Sequence, residues 1–351
     1  MASQAASFNE SSKNNMDAAS TSKGPDGSEN TIIEIAENGD LVVVVIEYHS
    51  ITTWDITIGK NVESWQAAKS ASFQVKRSTL ANHSTYFNKM LFGGCGETNQ
   101  KTIVLEEDNI AGMGLWLRIM HANIPSTYLE NVSIGQMRHA ILACDKYELE
   151  RDKMAPWFRK WWETLSGKTL SNTDLYNMVL LCCYFRCEEG FMVWTRKLVY
   201  ESSDIIAESD PIGTRPAYMC LPGGLIKSLN NIKGQIRIIL YHCLCSPINS
   251  LVTSDMCNRL ERVVFHYIIE LRRLGASPLI PDFRRKGIRD ILQRLEKFEE
   301  KPEEACVVHP TDAICNFSFR RTVEQACSAA DNYFQGRNLG PNDPQIEISW
   351  V

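Results

Sequence analysis

The sequence predicts an α+β fold followed by an all-α region. Three observations point to it. Runs of β-branched and aromatic residues with strand texture are confined to the part of the chain before about residue 105. From Asp108 onward, apolar residues recur at three- and four-residue spacing almost without interruption. The two textures do not alternate, which argues against a parallel α/β sheet. No self-similar period of about 20–50 residues occurs, so a solenoid is not expected.

Residues 1–29 are mostly Ser, Asn, Ala, Asp, Lys and Gly, with Phe8 the one aromatic. Such a segment cannot bury enough apolar area to offset its ordering entropy and reads as a disordered tail. Ile32, Ile33 and Ile35 then lead through Glu37-Asn38-Gly39-Asp40 into Leu41–Ile46. Asn-Gly between β-branched runs predicts a hairpin, and the continuous Val run predicts a strand covered on both faces. Trp54, Ile56 and Ile58 alternate with polar residues and predict a further strand. Phe73 and Val75 predict a short one. Ser78 is placed as the N-cap of a helix whose face carries Leu80, Ser84, Phe87 and Leu91, stopped by Gly93-Gly94. Ile103-Val104-Leu105 is the last strand of this part.

The helical part begins with the stripe Ile110, Met113, Trp116, Leu117 and Met120. Ser133 and Gln136 form a capping box ahead of Ile134, Met137, Ile141 and Cys144. Pro156 suits a first helical turn, with Phe158, Trp161, Trp162 and Leu165 following on one face. That aromatic seam reads as core, docking the helical half, rather than as an exposed binding box. Leu175 to Cys183, Phe191 to Leu198, Leu225 to Cys243, Leu260 to Leu274, Ile288 to Phe298 and Arg320 to Phe334 give six more helices. Pro222 is placed at the opening of the third of these, and Gly275 at the C′ position ending the fourth. The expected organisation is therefore a tail at 1–29, an α+β unit at 30–150, a helical unit at 151–336 and a loose tail at 337–351.

Composition narrows the function. The 351 residues are 44% apolar and 23% charged, with a net charge of -5. That supports a sizeable core and gives no overall basic surface for a phosphate backbone, so no direct nucleic-acid partner is expected. The cluster Arg284-Arg285-Lys286 with Arg289 and Arg294 sits beside Glu296, Glu299, Glu300, Glu303 and Glu304 and reads as a solvated helix face. No apolar run, Leu41–Ile46 included, approaches the ~20 residues that span a bilayer, so no membrane partner is expected. The N-terminus has neither a basic nor an apolar segment and is not read as a secretory signal. The expected location is thus cytoplasmic or nuclear, where the twelve cysteines stay reduced. It also makes the Asn-x-Ser patterns at Asn82, Asn131 and Asn316 chance matches.

No Cys-x-x-Cys pair exists, and Cys182, Cys183, Cys187, Cys243 and Cys245 lie in apolar helical stretches, so no metal is expected. No phosphate loop, dinucleotide fingerprint, nucleophile elbow or His-Glu-x-x-His occurs, so no cofactor and no catalytic residues are expected. Gly93-Gly94-Cys95-Gly96 follows a helix instead of opening one, which is wrong for phosphate. His242 and Cys243 are adjacent on a helix and point about 100° apart, so they do not form a pair.

Several segments, in order, resemble a BTB/POZ domain of the divergent kind abundant in filamentous fungi. They are Glu34-Ile35-Ala36, Gly39-Asp40-Leu41-Val42, Phe73-Gln74-Val75-Lys76-Arg77-Ser78-Thr79-Leu80 and Ser84-Thr85-Tyr86-Phe87-Asn88-Lys89-Met90-Leu91. Glu97, Ile103–Asp108, Ile119-Met120-His121, Asp145-Lys146-Tyr147 and Pro156-Trp157 continue the match. The helical remainder resembles the C-terminal extension of the same proteins. The resemblance implies a small mixed sheet flanked by helices, acting without catalysis as a module that binds other proteins. Some relatives are substrate adaptors for a cullin-type ubiquitin ligase and use a hydrophobic-x-Glu element after the Ser-x-x-Phe helix. The matching positions are Cys95, Gly96 and Glu97, which are the partner-binding candidates. Others are transcriptional or chromatin regulators, which is the alternative reading, although no DNA-reading module is present. Swapped homodimers of the family carry an apolar helix ahead of the first strand. Here polar residues take that place, so a monomer is expected. Glu47 to Ser70 is longer than in compact members and is expected to form an extra hairpin arm.

Overall fold

The structure is a computed structural model that describes residues 20–23, 29–94, 100–124, 128–207, 217–252, 258–301, 317–339 and 348–350. The chain divides into two compact units. The first comprises residues 1–128 and 139–153, the second 129–138 and 154–351.

In the first unit, β1 (Ser20–Lys23), β2 (Glu29–Glu34), β3 (Leu41–Asp55), β4 (Lys60–Val75) and β5 (Thr102–Glu106) form one sheet in the order β1-β2-β4-β3-β5. β2 runs parallel to β4 and β5 parallel to β3, while β1–β2 and β3–β4 are antiparallel, so the sheet is mixed. Alternation sorts the side chains. Leu41, Val43, Val45, Phe73, Val75, Ile103 and Leu105 are buried on one face. Val42, Val44 and Ile46 on the other are half-buried, so the Val run is fully covered on one face only.

Asn38-Gly39 does not turn a hairpin, contrary to the expectation. β4 lies between β2 and β3, so the dipeptide carries the chain across the end of β4. Asn38 has φ 57°, and a Cβ at Gly39 would sit 2.8 Å from the Val75 carbonyl oxygen. The same two properties that favour a hairpin turn, positive φ and no side chain, serve a close crossing instead. Trp54, Ile56 and Ile58 do not make a separate strand either. Trp54 is near the end of β3, and Ile56 to Gly59 is the turn into β4. The pairing runs from Leu41↔Val75 to Asp55↔Lys60, with an irregularity between Glu47 and Tyr48. Residues 47–70 are thus the outer part of one long hairpin, the arm expected from the length of the insert.

The helix expected around Leu80 and Phe87 is two helices, α1 (Arg77–Asn82) and α2 (Thr85–Phe92). Lys76, not Ser78, precedes the first. The break falls at Ser84, whose hydroxyl oxygen accepts the Phe87 N–H at 2.9 Å as an N-cap and donates to the Tyr147 carbonyl at 2.6 Å. Leu80, Ser84, Phe87 and Leu91 are all buried as expected, but the serine is buried because it caps. Helix α3 (Ile110–Met120) follows β5, and its cap Asn109 accepts the Gly112 N–H at 2.9 Å.

α4 (Tyr128–Asn131) leads to α5 (Ile134–Lys146), opened by the expected reciprocal box. The Gln136 side chain accepts the Ser133 N–H at 2.8 Å, and Ser133 Oγ accepts the Gln136 N–H at 3.1 Å. α6 (Arg151–Glu163) starts earlier than expected, which places Pro156 inside the helix and not in its first turn.

The second unit contains the helical remainder: α7 (Asn172–Tyr184), α8 (Glu188–Glu201), α9 (Leu225–Val252), α10 (Asn258–Arg273), α11 (Asp282–Arg285), α12 (Ile288–Leu295) and α13 (Phe319–Asn332). Phe158, Trp161 and Trp162 belong to its core. Phe158 stacks on Phe185 at 4.5 Å, and the Trp161 indole donates to the Val132 carbonyl at 2.9 Å. α9 begins three residues after Pro222. Gly275, at φ 63°, ends α10: its N–H reaches Arg272 and the Ala276 N–H reaches Leu271, a Schellman pair. Two short strands, β6 (Ala217–Met219) and β7 (Ile348–Trp350), pair antiparallel. β1 and β7 fall inside segments that the sequence leaves without structure. Strand pairing uses backbone groups that every residue carries, so polar composition does not prevent it. The rest of 1–28 and 340–347 lies outside the described residues.

Candidate functional site

The partner-binding candidates of the first unit follow α2, so the site is built from that helix outward. Phe87 and Leu91 anchor α2 in the core, and Phe87 stacks on Tyr147 at 5.2 Å. Anchoring one face turns others outward. Tyr86 is 39% exposed and Phe92, the last residue of the helix, is 55% exposed. Gly93 closes the helix through its N–H to Lys89, and Gly94 takes φ 77°. Cys95, Gly96 and Glu97 come next and lie outside the described residues. The chain re-enters at Gln100 and forms β5 along the edge of the sheet, where Val104 faces out at 53% exposure.

Behind this edge lies a polar cluster that joins two sequence motifs. The Asp108 carboxylate accepts from Lys146 Nζ at 3.0 Å and from the Tyr147 hydroxyl. Lys146 also donates to the Glu106 carbonyl at 2.9 Å. Asp108 is buried, and burial holds its pKa above the ordinary carboxylate value, with Lys146 and Tyr147 pulling the other way. The Tyr147 phenol is raised by burial and by the neighbouring carboxylate. Glu-Glu-Asp and Asp-Lys-Tyr were each legible as motifs, but nothing in one sequence says that they meet. Within the cluster Asp108 Oδ2 takes both bonds, and Lys146 and Tyr147 both donate to it. Its chemistry is that of a brace between the end of β5 and the end of α5, not of an acid–base pair facing a cleft.

The hairpin arm adds a second exposed apolar set at its tip: Trp54, Ile56 and Ile58 are 62%, 87% and 58% exposed. Among the described residues, no group of three or more His, Cys, Asp or Glu side chains could hold a metal ion. No helix among them is long and apolar enough to cross a membrane.

In the second unit, three of the basic side chains singled out from the sequence are engaged. Lys286 donates to the Gly275 carbonyl at 2.8 Å, Arg289 pairs with Asp331 at 3.0 Å, and Arg294 pairs with Asp290 at 2.8 Å. Glu300 caps α13, accepting from the Phe319 N–H and the Ser318 hydroxyl, each at 2.8 Å. A cavity of about 260 Å³ lies beside these groups, lined by Tyr267, Phe298 and Phe319 with Glu270 and Arg273 at its rim. The two rim charges are bonded to each other at 2.6 and 2.7 Å.

Sequence reasoning missed Lys233. It is 2% exposed on the face of α9 that carries Leu229, Ile236 and Leu240. Its ammonium donates to the carbonyls of Ser202, Ser203 and Asp204 and to the Ser202 hydroxyl. The signal was present: Lys233 stands four residues after Leu229 and three before Ile236, on the apolar stripe.

A family model for the BTB/POZ domain matches residues 61–154. The match covers β4 to the start of α6. The sheet it belongs to also needs β3, which lies between β4 and β5 and joins them, so the folded unit begins ahead of the matched stretch. No curated protein matches the chain.

Proposed function

We propose that this chain, whose BTB/POZ domain is a module for binding other proteins, serves as a scaffold that recruits a cullin-type ubiquitin-ligase subunit and acts as its substrate adaptor. The carrying observation is the exposed aromatic Phe92 at the end of α2, three positions ahead of Cys95 in the sequence Cys95-Gly96-Glu97, on a domain of an interaction family. An exposed aromatic followed five positions later in the sequence by an acidic residue has the composition of a small protein-binding patch, in which the ring fills a pocket and the charge sets orientation. In this reading residues 30–150 form the binding unit, in the fungal manner suggested by Asp145-Lys146-Tyr147 and Pro156-Trp157. Residues 151–336 form the helical unit that holds the substrate protein. The chain works as a monomer in the cytoplasm or nucleus.

The test is a pull-down of recombinant full-length chain with a cullin scaffold subunit. Wild-type chain is expected to retain it, and Phe92→Ala and Glu97→Lys to lose it, with the circular dichroism of each variant unchanged. Retention by Glu97→Lys removes that residue from the interface. Absence of binding by the wild type removes the adaptor reading and leaves the protein-binding module. Light scattering on the same preparation reads the mass of the free chain, expected at the 39.8 kDa of one copy.

A further inference from the structure

The turn between α7 and α8 brings two thiols together by a backbone rule. α7 ends in a Schellman motif: Arg186 takes φ 48°, its N–H reaches the Cys183 carbonyl at 3.2 Å, and the Cys187 N–H reaches the Cys182 carbonyl at 2.9 Å. Cys182 and Cys187 therefore occupy the C3 and C″ positions, whose side chains meet across such a turn. They do meet here. A Cβ placed on Gly190 would lie 2.8 Å from Cys182 Sγ and 3.2 Å from Cys187 Sγ, so both sulfurs converge on the bare backbone of that glycine. The third neighbour at that point is the Trp162 ring, at 3.3 Å. Its indole nitrogen is buried and finds no oxygen acceptor.

The two sulfurs have unequal environments. Both are buried, Cys182 completely and Cys187 to 3% exposure, and the Cys182 thiol is pushed well up, by burial first. Cys187 stands at the N-cap of α8, where the helix N–H groups and dipole favour an anion. The Cys182 thiol, the Gly190 N–H and the Trp162 indole bring it down to about 6 against the opposing effect of burial. A sulfur biased toward the thiolate thus lies beside a second one held as the neutral thiol, which gives up its proton only as the disulfide closes.

We propose that Cys182 and Cys187 are a peroxide-reactive dithiol that closes to an intramolecular disulfide across the α7–α8 turn. The Cys187 thiolate attacks one oxygen of hydrogen peroxide. An S–O bond forms, the O–O bond breaks, and hydroxide leaves and takes up a proton as water. Cys182 then attacks the sulfenic sulfur, forming S–S and breaking S–O, and its thiol proton leaves with the oxygen as a second water. Two electrons pass from the thiol pair to the peroxide. A small-molecule dithiol reverses the step by exchange.

Trypsin offers a direct readout, because it cuts after Arg186, between the two cysteines. The full-length chain is treated with hydrogen peroxide, capped with N-ethylmaleimide, digested without reductant and analysed by mass spectrometry. Peptides 169–186 and 187–196 are expected as one disulfide-linked species. The link should persist in Cys183→Ser, which shares the first peptide with Cys182, and disappear in Cys187→Ser. In Cys182→Ser, Cys187 should carry a dimedone-reactive sulfenic acid. A wild-type chain that gives no linked pair overturns the proposal, as does a link that survives Cys182→Ser or is lost in Cys183→Ser. Wild type and Cys183→Ser decide the matter even if the other variants fold poorly.

Discussion

The Nε2 atom of His121 accepts the backbone N–H of Lys76 at 3.0 Å, and its Nδ1 lies 2.8 Å from the Leu117 carbonyl. A backbone N–H can only donate, so Nε2 must be bare and Nδ1 must carry the hydrogen. The ring is therefore neutral in this arrangement, and it ties the end of α3 to the start of α1. Burial lowers its pKa below the ordinary histidine value. A base held neutral by the fold binds fewer protons folded than unfolded. Its stabilising contribution is complete above about pH 6.5 and is lost as pH falls through the window below that.

His121→Phe keeps a ring but removes the acceptor. It is expected to lower stability by about 1 kcal/mol at pH 7.5, the ordinary worth of one hydrogen bond. The gap to wild type should narrow at pH 5, below the ordinary histidine value, where proton uptake by the released ring favours the unfolded wild-type chain. Urea denaturation at the two pH values measures both. A gap that stays constant would show that the ring does not titrate against the fold.

Asp108 has the opposite sign. Burial raises its pKa above 3.8, so the folded state binds the proton more tightly than the unfolded chain. The group's contribution is fully present below that value and is lost as pH rises through the raised folded pKa. Asp108→Asn, neutral throughout, is expected to be less stable than wild type by more at pH 3.5 than at pH 7. Thermal melts at both values test it. A difference that grows toward neutrality would mean that Lys146 and Tyr147 outweigh burial.

Two glycines in helices should respond in opposite ways. A Cβ on Gly112 of α3 would meet the Ala140 nitrogen and the His139 carbonyl carbon, each at 2.8 Å, and this backbone cannot fold aside like a flexible side chain. Gly112→Ala should cost about 1–3 kcal/mol through overpacking. A Cβ on Gly234 of α9 meets nothing within 4 Å. Gly234→Ala should stabilise by about 0.5–1 kcal/mol, the propensity difference in a helix interior. Melting temperatures moving in the same direction for both would contradict the packing described.

Lys233 binds the carbonyls that follow α8, from Ser202 to Asp204. Lys233→Met fills the space and leaves the buried Ser202 carbonyl and hydroxyl without their donor. The expected cost is about 3 kcal/mol, because unsatisfied buried polar groups cost more than a hydrogen bond contributes. The effect should appear in amide exchange first at residues 202–207. A variant as stable as wild type would show that water replaces the ammonium without penalty.

Much of the helical part was legible because its signal is local. The buried positions of α9 include Leu225, Leu229, Ile236 and Leu240, and those of α10 Leu260, Val264, Tyr267 and Leu271, as the spacing predicts. Capping at Ser133 and the end at Gly275 were equally readable, since both are decided within a few residues. The β part was read less well. Asn38-Gly39 fits a hairpin and a strand-end crossing alike, and which one forms depends on β4, some 30 residues downstream, taking the place between β2 and β3. The candidate site divides the same way. Cys95, Gly96 and Glu97 were marked by the motif, whereas the exposure of Phe92 depended on which face of α2 was taken by the core.

By itself the sequence determined the class of the fold, the helix faces and the motifs that carry the BTB/POZ resemblance. Each of these follows from a period or a short ordered pattern, so neighbouring residues suffice to set it. Only the tertiary structure decided that Ser84 caps a second helix, that Asp108 meets Lys146 and Tyr147, and that Cys182 faces Cys187. The Ser84 cap is local to Phe87 but its hydroxyl is also held by the Tyr147 carbonyl, and the Asp108 contacts likewise come from tens of residues away. The third depends on Arg186 adopting positive φ, which is uncommon for a residue with a side chain and is not signalled by its neighbours in the sequence.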